Sequence, residues 1–327
     1  LQGLMGGYYA EKEGLPVEVS HAIRDHYKPV GQVDDVPTDP VTVYVSLADK
    51  LDTLACFFAI DEKPTGSKDP FALRRAGLAN LSLWQTNQLR GSHLGVLRKA
   101  IQIAALQLSS LNDRLINLGK ASGNSGDPLA FAINREAEEL WAFLVDRLKV
   151  QQREAGVRHD LIDAVFALGG EDDLVRLLAR VKALQAFVET ADGVNLLAGY
   201  KRASNILKKE GAGAPHLMRS EAGGADDGQG SASSAEHKPL SYTPEKAEKT
   251  LIEALDAAQP EVTAAIAAEQ FETAMTALAA LRGPIDQFFE DVTVNDEDET
   301  KRKARLALLA RFRNAVHQVA DFSKIEG

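Results

Sequence analysis

Apolar residues that recur every three or four positions constrain the fold of this 327-residue chain more than any other feature. From Val43 onward, Leu47, Leu51, Leu54 and Phe58 follow this spacing, which places them on one face of a helix. Leu and Ala dominate the sequence and aromatic residues make up only 6% of it, which favours helices over sheets. The sequence therefore predicts an all-α fold, and its length predicts about two domains.

Two breaks interrupt the helical pattern. The sequence S-G-N-S-G-D-P at 122–128 is the clearest break in the first half, so we place a domain boundary after residue 127. The segment 211–237 is rich in Gly, Ala, Ser and small polar residues, with little apolar material to offset the entropy of ordering. We therefore predict a first domain over 1–127 and a second over 128–327, with a flexible insertion at 211–237.

Start and stop signals divide these domains into individual helices. Asp69 followed by Pro70 predicts a helix start, because a carboxylate caps a helix and proline fits its first position. This helix is expected to continue through Leu89. The other predicted helices are 15–27, 43–60, 93–118, 129–153, 158–168, 171–190, 194–209, 245–257, 261–268, 270–281, 284–290 and 298–323.

The net charge of −10 argues against a protein covered by nucleic acid. A local RNA site stays open, because affinity follows the arrangement of Lys and Arg rather than their sum. The single cysteine, Cys56, lies in an apolar run and allows no disulfide framework within one chain, which favours a reducing cytoplasm. We expect no signal peptide and no membrane span, since no apolar run is long enough.

The segment K-R-A-S-N-I-L-K-K at 201–209 is the strongest candidate for an RNA-binding surface. On a helix, its four cationic residues and Asn205 share an arc of about 120°. They are Lys201, Arg202, Asn205, Lys208 and Lys209. Such a face can follow phosphates while the Asn side chain hydrogen-bonds a base edge. The alternative from charge alone is a solvated helix face.

The loop P-T-G-S-K-D at 64–69 is a second candidate. Lys68, Arg74 and Arg75 are placed to meet RNA phosphates, aided by the positive N-terminus of the helix predicted to begin at Pro70. The loop lacks the spacing of a nucleotide-binding P-loop. The alternative interpretation is a tight loop followed by an N-capped helix.

The last predicted helix has mainly a packing role. Arg305 projects onto its apolar arc, so we expect the stem of this side chain to be buried. Arg311 and Arg313 are further, minor candidates for RNA contact.

Histidines and carboxylates near the start of the chain suggest metal chemistry. Asp49 and Asp52 lie three apart, which places them on roughly one helix face, and His21 and His26 lie upstream. Such groups can hold a divalent metal or form a phosphohydrolase centre. The simpler interpretation is that both carboxylates cap a helix or form salt bridges. We therefore predict no metal site and no catalytic residue.

Three segments carry a family resemblance. They are A-D-K-L-D-T-L-A-C-F-F-A-I-D-E-K-P-T-G-S-K-D-P-F-A-L-R-R-A-G at 48–77, the basic segment at 201–209, and L-R-G-P-I-D-Q-F-F-E-D-V at 281–292. Together they resemble the beta subunit of the bacterial two-subunit glycyl-tRNA synthetase, in the order expected for its C-terminal half. Because the chain opens on Leu1 rather than Met, we expect a fragment of such a subunit.

The resemblance implies an HD-like helical domain over 1–127, followed by a helical-bundle anticodon-binding domain of the DALR type over 128–327. The HD superfamily holds metal with a His, an adjacent His-Asp pair and a later Asp. Here the only His-Asp pair is His159-Asp160, far downstream of Asp49 and Asp52. The resemblance therefore implies an HD-like domain without hydrolase activity.

The resemblance also implies partners. In that family an alpha subunit activates glycine with ATP and magnesium, the beta subunit supplies much of the tRNA recognition, and two copies of each form the enzyme. The expected partners are glycine tRNA and the alpha subunit, with no DNA and no membrane. This chain alone is expected to hold no cofactor and to be inactive. Two other classes stay open: an HD-type metal-dependent phosphohydrolase and a helical module that binds protein rather than RNA.

Overall fold

The computed structural model describes residues 2–31, 34–123, 126–210 and 242–326. Over these ranges the chain forms α-helices and one short 3-10 helix without any strand, which confirms the all-α prediction. The insertion predicted at 211–237 lies outside the described residues. Within the same ranges, no helix combines the length and the apolar character that crossing a membrane requires.

The helices are numbered here in chain order. They are α1 (Gln2–Lys12), α2 (Val17–Asp25), α3 (Pro40–Ala59), α4 (Leu73–Thr86), α5 (His93–Gln107), α6 (Ser109–Ala121), α7 (Pro128–Glu154), α8 (His159–Phe166), α9 (Leu174–Val188), α10 (Ala191–Lys209), α11 (Lys246–Ala267), α12 (Phe271–Ala279), α13 (Arg282–Asp291) and α14 (Glu299–His317), followed by the 3-10 helix Phe322–Lys324.

Two compact units divide the chain. Unit 1 comprises Leu1–Ile162 with Gly169–Ala179, and unit 2 comprises Asp163–Leu168 with Arg180–Gly327. The boundary predicted after residue 127 does not coincide with this division, because α7 packs against α3, α4, α5 and α6 inside unit 1. The assignment of an HD-like domain to the first part stays a prediction.

The long helix α7 forms much of the core of unit 1. Asp127 caps it by accepting a hydrogen bond from the backbone N–H of Leu129, and Pro128 occupies its first turn. Leu140, Leu144 and Leu148 recur at four-residue spacing and are fully buried. This one apolar stripe lets α7 pack against several helices at once.

Helices α10, α11 and α14 organise unit 2. Helix α10 packs against α13 and α14, and α11 packs against α12, α13 and α14. These helices contribute the buried aromatic residues Tyr200 (α10), Phe288 (α13) and Phe312 (α14). The basic segment of the sequence therefore lies on a helix whose other face is fixed in a core.

The placement of helix breaks is wrong at two positions. The helix predicted over 93–118 ends at Gln107, because Leu108 is extended and α6 starts at Ser109. This break lets α6 lie against α7 with Leu111 and Leu115 buried. The break predicted between 257 and 261 is absent, since α11 continues through Pro260.

Packing explains why α11 continues through Pro260. A proline inside a helix removes one hydrogen bond and costs about 3 kcal/mol. Leu255 and Ala258 before Pro260 and Val262 after it are all buried. Because both halves of the helix pack into one core, burial offsets the local penalty.

Candidate nucleic-acid interface

The basic segment at 201–209 forms the second half of α10. Thr190 caps this helix, since its hydroxyl accepts a hydrogen bond from the backbone N–H of Gly193 at 3.0 Å. Leu196, Tyr200, Ala203 and Leu207 recur at helical spacing and are buried. With these four residues in the core, the cationic residues face away from it.

The exposed end of this face carries two cations available to a ligand. Lys208 and Lys209 are exposed and form no ion pair with a described residue. Asn205 is exposed one turn earlier, and Lys201 is half-buried. Both lysines lie in the last turn of α10, where cations are favoured by the helix dipole. We define the basic face of α10 as Lys201, Arg202, Asn205, Lys208 and Lys209.

Arg202 is held in place by a contact with α13. Its guanidinium carbon lies 4.3 Å from the centroid of the Phe289 ring. Its Nη2 donates a hydrogen bond to the backbone carbonyl of Phe289 at 3.3 Å. Sequence reasoning missed Phe289 as a partner, because it lies 87 residues along the chain and only tertiary packing brings the two together.

The loop before α4 is a tight turn held by ion pairs. Thr65 and Lys68 exchange backbone hydrogen bonds of 2.8 and 3.0 Å, with Gly66 at a φ of +50°. Lys63 contacts Glu136 and Glu139 on α7, with its Nζ 3.0 Å from Glu136 Oε2. Burial works to lower the pKa of Lys63, but hydrogen bonds to these carboxylates outweigh it and raise the pKa to about 12.

The helix start predicted at Pro70 is wrong. Helix α4 begins at Leu73, after Ala72 in the left-handed region with a φ of +56°. The Asp69 carboxylate accepts hydrogen bonds from the backbone N–H groups of Leu73 at 2.8 Å and Arg74 at 3.0 Å. Because Asp69 already occupies these donors, they are not available to a phosphate.

The three cations of this second candidate differ in their surroundings. Arg74 donates a hydrogen bond from Nη2 to the Gly66 carbonyl at 2.6 Å, so it braces the loop. Lys68 and Arg75 are exposed and form no ion pair with a described residue. Arg75 lines a cavity of about 580 Å³ together with Ser82 and Gln151. Lys68 and Arg75 are therefore the better placed of the three to meet a ligand.

The two arginines of α14 serve packing within unit 2. Arg311 binds α11 through hydrogen bonds to Asp256 Oδ1 at 2.5 Å and Gln259 Oε1 at 2.6 Å. Arg313 is buried and lies within 3.4 Å of the Asn314 side chain. An RNA contact by either residue stays a prediction, and it would compete with these contacts.

The histidines and carboxylates near the start of the chain make local contacts. Asp49 lies 3.7 Å from Lys50 Nζ, and Asp52 lies 3.9 Å from Cys56 Sγ. The Nδ1 atom of His26 lies 3.0 Å from the carbonyls of Ala22 and Ile23. Among the described residues, no group of three His, Cys, Asp or Glu side chains is placed to hold a metal ion.

The His-Asp pair of the sequence also has a local partner. It lies at the start of α8, where the Asp160 carboxylate is buried and accepts a hydrogen bond from Arg158 Nε at 3.1 Å. Asp160 therefore forms an ion pair with Arg158.

Comparison with known proteins identifies two regions of the chain. The family model described as glycyl-tRNA synthetase beta subunit matches residues 1–167. The chain belongs to the glycyl-tRNA synthetase beta subunit family. A second model, described as DALR anticodon binding domain, matches residues 196–326 and includes the basic face of α10. These matches confirm the resemblance carried by residues 48–77, 201–209 and 281–292.

Curated members of the glycyl-tRNA synthetase beta subunit family match over the whole chain. The glycine–tRNA ligase beta subunit of Rhodospirillum centenum is 48% identical over 332 residues, and those of Ruegeria sp. and Phenylobacterium zucineum are 44% and 45% identical. In each case the alignment covers 100% of this chain and 40 or 41% of the relative. The chain thus spans about two fifths of the length of these beta subunits.

Proposed function

We propose that this chain is the tRNA-recognition portion of a glycyl-tRNA synthetase beta subunit. It binds a glycine tRNA through the basic face of α10 and positions it for aminoacylation. The observation that carries this proposal is the exposure of Lys208 and Lys209, without an ion pair to a described residue, inside the region similar to a DALR anticodon binding domain. Such cations bind phosphates, and the nearby amide of Asn205 is suited to a base edge.

Lys68 and Arg75 extend this proposal to unit 1 as additional phosphate contacts. Both are exposed on or just after the loop that Lys63 and Arg74 brace. Because this loop is already held in one conformation, its exposed cations lose less conformational entropy when they bind a phosphate.

The catalytic part of the reaction belongs, in this proposal, to an alpha subunit in the cytoplasm. That subunit would bind glycine, ATP and magnesium, and two alpha and two beta subunits would form the enzyme. The supporting observation is the family membership of the chain. The chain alone is expected to give no glycyl-tRNA, and addition of the alpha subunit to the complete beta subunit is expected to restore synthesis.

The binding test compares glycine tRNA with a noncognate tRNA over a salt series. The Lys208→Ala/Lys209→Ala variant removes the two exposed cations, so we expect weaker binding and a shallower salt dependence. The slope should fall by about 0.7 for each phosphate that the variant no longer neutralises. The Lys246→Ala/Lys249→Ala variant is the matched control, because it removes two exposed charges from α11 of the same unit.

Two results would contradict the proposal. One is equal binding of the two tRNAs by the unmodified chain, which would place recognition elsewhere in the beta subunit or in its partner. The other is an equal loss of affinity in both double variants. It would mean that the lysines of α10 contribute only through the net charge of the protein.

A further inference from the structure

A pocket of about 390 Å³ opens beside the basic face of α10. Its apolar lining includes Ile206 on α10, Leu306 on α14, and Val292 and Val294 in the segment between α13 and α14. Three cations, Arg202, Lys209 and Arg302, line it as well, together with polar groups of Thr293 and Asn295. Two carboxylates, Glu210 and Glu290, also line the pocket, and Glu210 forms an ion pair with Arg302. This mixed lining is suited to a flat, partly apolar ligand whose negative charge lies against the cations.

The Arg202 guanidinium forms a fixed plane within this pocket. Its central carbon lies over the Phe289 ring, 4.3 Å from the ring centroid. The ring is itself fixed, since Phe289 is buried and packs edge-on against Phe288. Arg202 is an exposed residue and lines the pocket, so a ligand in the pocket can contact its guanidinium.

The cations of the pocket are not equivalent. Arg302 forms an ion pair with the Glu210 carboxylate, which reduces its capacity for a second anion. Lys209 forms no ion pair with a described residue, so its ammonium can bind a phosphate. The pocket thus offers the planar guanidinium of Arg202 for stacking and the ammonium of Lys209 for binding an anion.

An unpaired RNA base fits these features. Proteins that read single-stranded RNA stack unpaired bases on aromatic rings or on arginine guanidinium planes. A guanidinium already held by a phenylalanine ring loses little freedom when a base stacks on its other face. A lysine ammonium, which has no plane, cannot replace it in this role.

We propose that this pocket binds one unpaired nucleotide of the tRNA, with its base stacked on Arg202 and its phosphate bound by Lys209. The inference rests on the proposed tRNA-binding function and adds the site and the mode of base recognition. In this proposal the guanidinium of Arg202 stacks on the base and does not serve as a phosphate contact.

The test combines an Arg202→Lys variant with abasic substitutions in a glycine tRNA transcript. Each unpaired loop nucleotide is replaced in turn by an abasic one, and affinity for the 327-residue chain is measured at fixed salt. For the unmodified chain we expect one abasic position to weaken binding by roughly 5- to 160-fold, the range for one stacked base. Arg202→Lys should weaken binding of the intact tRNA by a similar factor.

Non-additivity is the decisive result. In the Arg202→Lys variant the same abasic substitution should change affinity by less than about twofold, because the stacking partner has already been removed. The salt dependence should stay that of the unmodified chain, since the charge is retained. The control, Lys208→Ala, removes a cation of α10 that does not line the pocket, so its effect should add to that of the abasic substitution at every position.

Three outcomes would overturn the inference. One is that the effects of Arg202→Lys and of the abasic substitutions add at every position, and another is that no abasic substitution weakens binding. In both cases the tRNA still binds, and only the pocket assignment fails. Failure of the unmodified chain to bind the intact transcript would instead overturn the proposed function together with the pocket. Far-UV circular dichroism and urea midpoints establish that each variant is folded.

Discussion

Arg305 shows how a charged side chain can occupy the apolar face of a helix. It is almost fully buried on α14, with Nε 2.9 Å from Glu248 Oε1 and Nη1 2.7 Å from Asp296 Oδ2. The backbone carbonyl of Thr293 accepts a further hydrogen bond at 2.8 Å. Burial works to lower the pKa of Arg305, yet the hydrogen bond to Glu248 and the nearby carboxylates keep it raised.

Loss of this arginine should destabilise unit 2 strongly. Arg305→Met leaves the buried Glu248 carboxylate without its cation, so we expect the free energy of unfolding to fall by about 3–5 kcal/mol. Urea denaturation measures the change. The matched control is Lys303→Met on the same helix, where the exposed pair with Glu299 contributes less than about 1 kcal/mol.

A double variant separates the loss of pairing from the loss of volume. Arg305→Met with Glu248→Leu replaces both charges by apolar groups, and we expect part of the lost stability to return. Equal effects of Arg305→Met and Lys303→Met would contradict this account of the buried pair.

His93 is a second buried polar residue, and it makes stability depend on pH. Its Nε2 lies 3.0 Å from Asn80 Oδ1, and Trp84 and Trp141 lie next to its ring. Its Nδ1 has no hydrogen-bond partner among the described residues. Burial lowers the pKa of His93 from 6.5 to about 4, although the charge of Asp172 opposes the shift.

The sign of the pH effect follows from this lowered pKa. Between about pH 4 and 6.5 the unfolded chain binds a proton at His93 that the folded chain does not bind. The His93 contribution to stability is therefore complete above pH 6.5 and is lost as the pH falls towards 4. The loss is about 1.4 kcal/mol per pH unit at most.

A His93→Gln variant tests this contribution, since its side chain does not titrate. From pH 7 to pH 5 we expect the unfolding free energy of the unmodified chain to fall by about 2 kcal/mol relative to that of the variant. Urea denaturation at each pH gives this difference. A constant difference across that range would contradict a buried, neutral His93.

At the scale of elements, the crossing of α6 and α7 depends on the absence of a side chain. A Cβ built at Gly119 would lie 1.9 Å from the backbone oxygen of Pro128. Because the neighbour is backbone at the start of α7, no side-chain rotation can relieve the contact. The close approach of α6 to α7 therefore requires glycine at this position.

Effects of very different size are expected for alanine at two helical glycines. Gly119→Ala should lower the free energy of unfolding by about 3 kcal/mol or more, because α6 must move away from α7. At Gly283 in α13, an added Cβ meets no atom within 4 Å outside the adjacent residues. There we expect a change of less than about 1 kcal/mol, because the helix propensity of Ala is opposed by Pro284, which disfavours a Cβ on the preceding helical residue. Thermal denaturation of both variants checks the prediction, and a similar loss at both positions would contradict it.

At the scale of the whole molecule, charge limits which nucleic acids can bind. The chain carries a net charge of −10, while its proposed interface offers only a few cations. Ions screen charges beyond about 8 Å at physiological salt, so local cations act on a phosphate that lies against them. A surface of this kind is suited to specific contacts and gives little nonspecific attraction.

Duplex DNA is therefore expected to compete poorly for the tRNA site. At about 0.15 M salt, roughly a hundredfold excess of duplex DNA should leave a complex with glycine tRNA largely intact. Fluorescence anisotropy of labelled tRNA measures the displacement, with unlabelled glycine tRNA as the positive control. Equal competition by DNA and by tRNA would mean that phosphate charge alone is recognised.

The sequence by itself determined the all-α class and the family of the chain. It also indicated the buried side of α10 and the burial of Arg305. These features are encoded locally: a helix repeats every 3.6 residues, so apolar spacing reveals its buried face before any partner is known. Family-specific segments such as 48–77 are equally readable, because they are continuous in the chain.

Only the tertiary structure decided which cations are available to a nucleic-acid ligand. Arg202 and Arg311 are both candidates for RNA contact in the sequence, yet they have partners 87 and 52 residues away. The same is true of Pro260, whose helix persists because both of its halves are buried in one core. Spacing along one helix carries no information about distant groups. The energy of a charge or a broken hydrogen bond, however, depends on the groups that surround it in space.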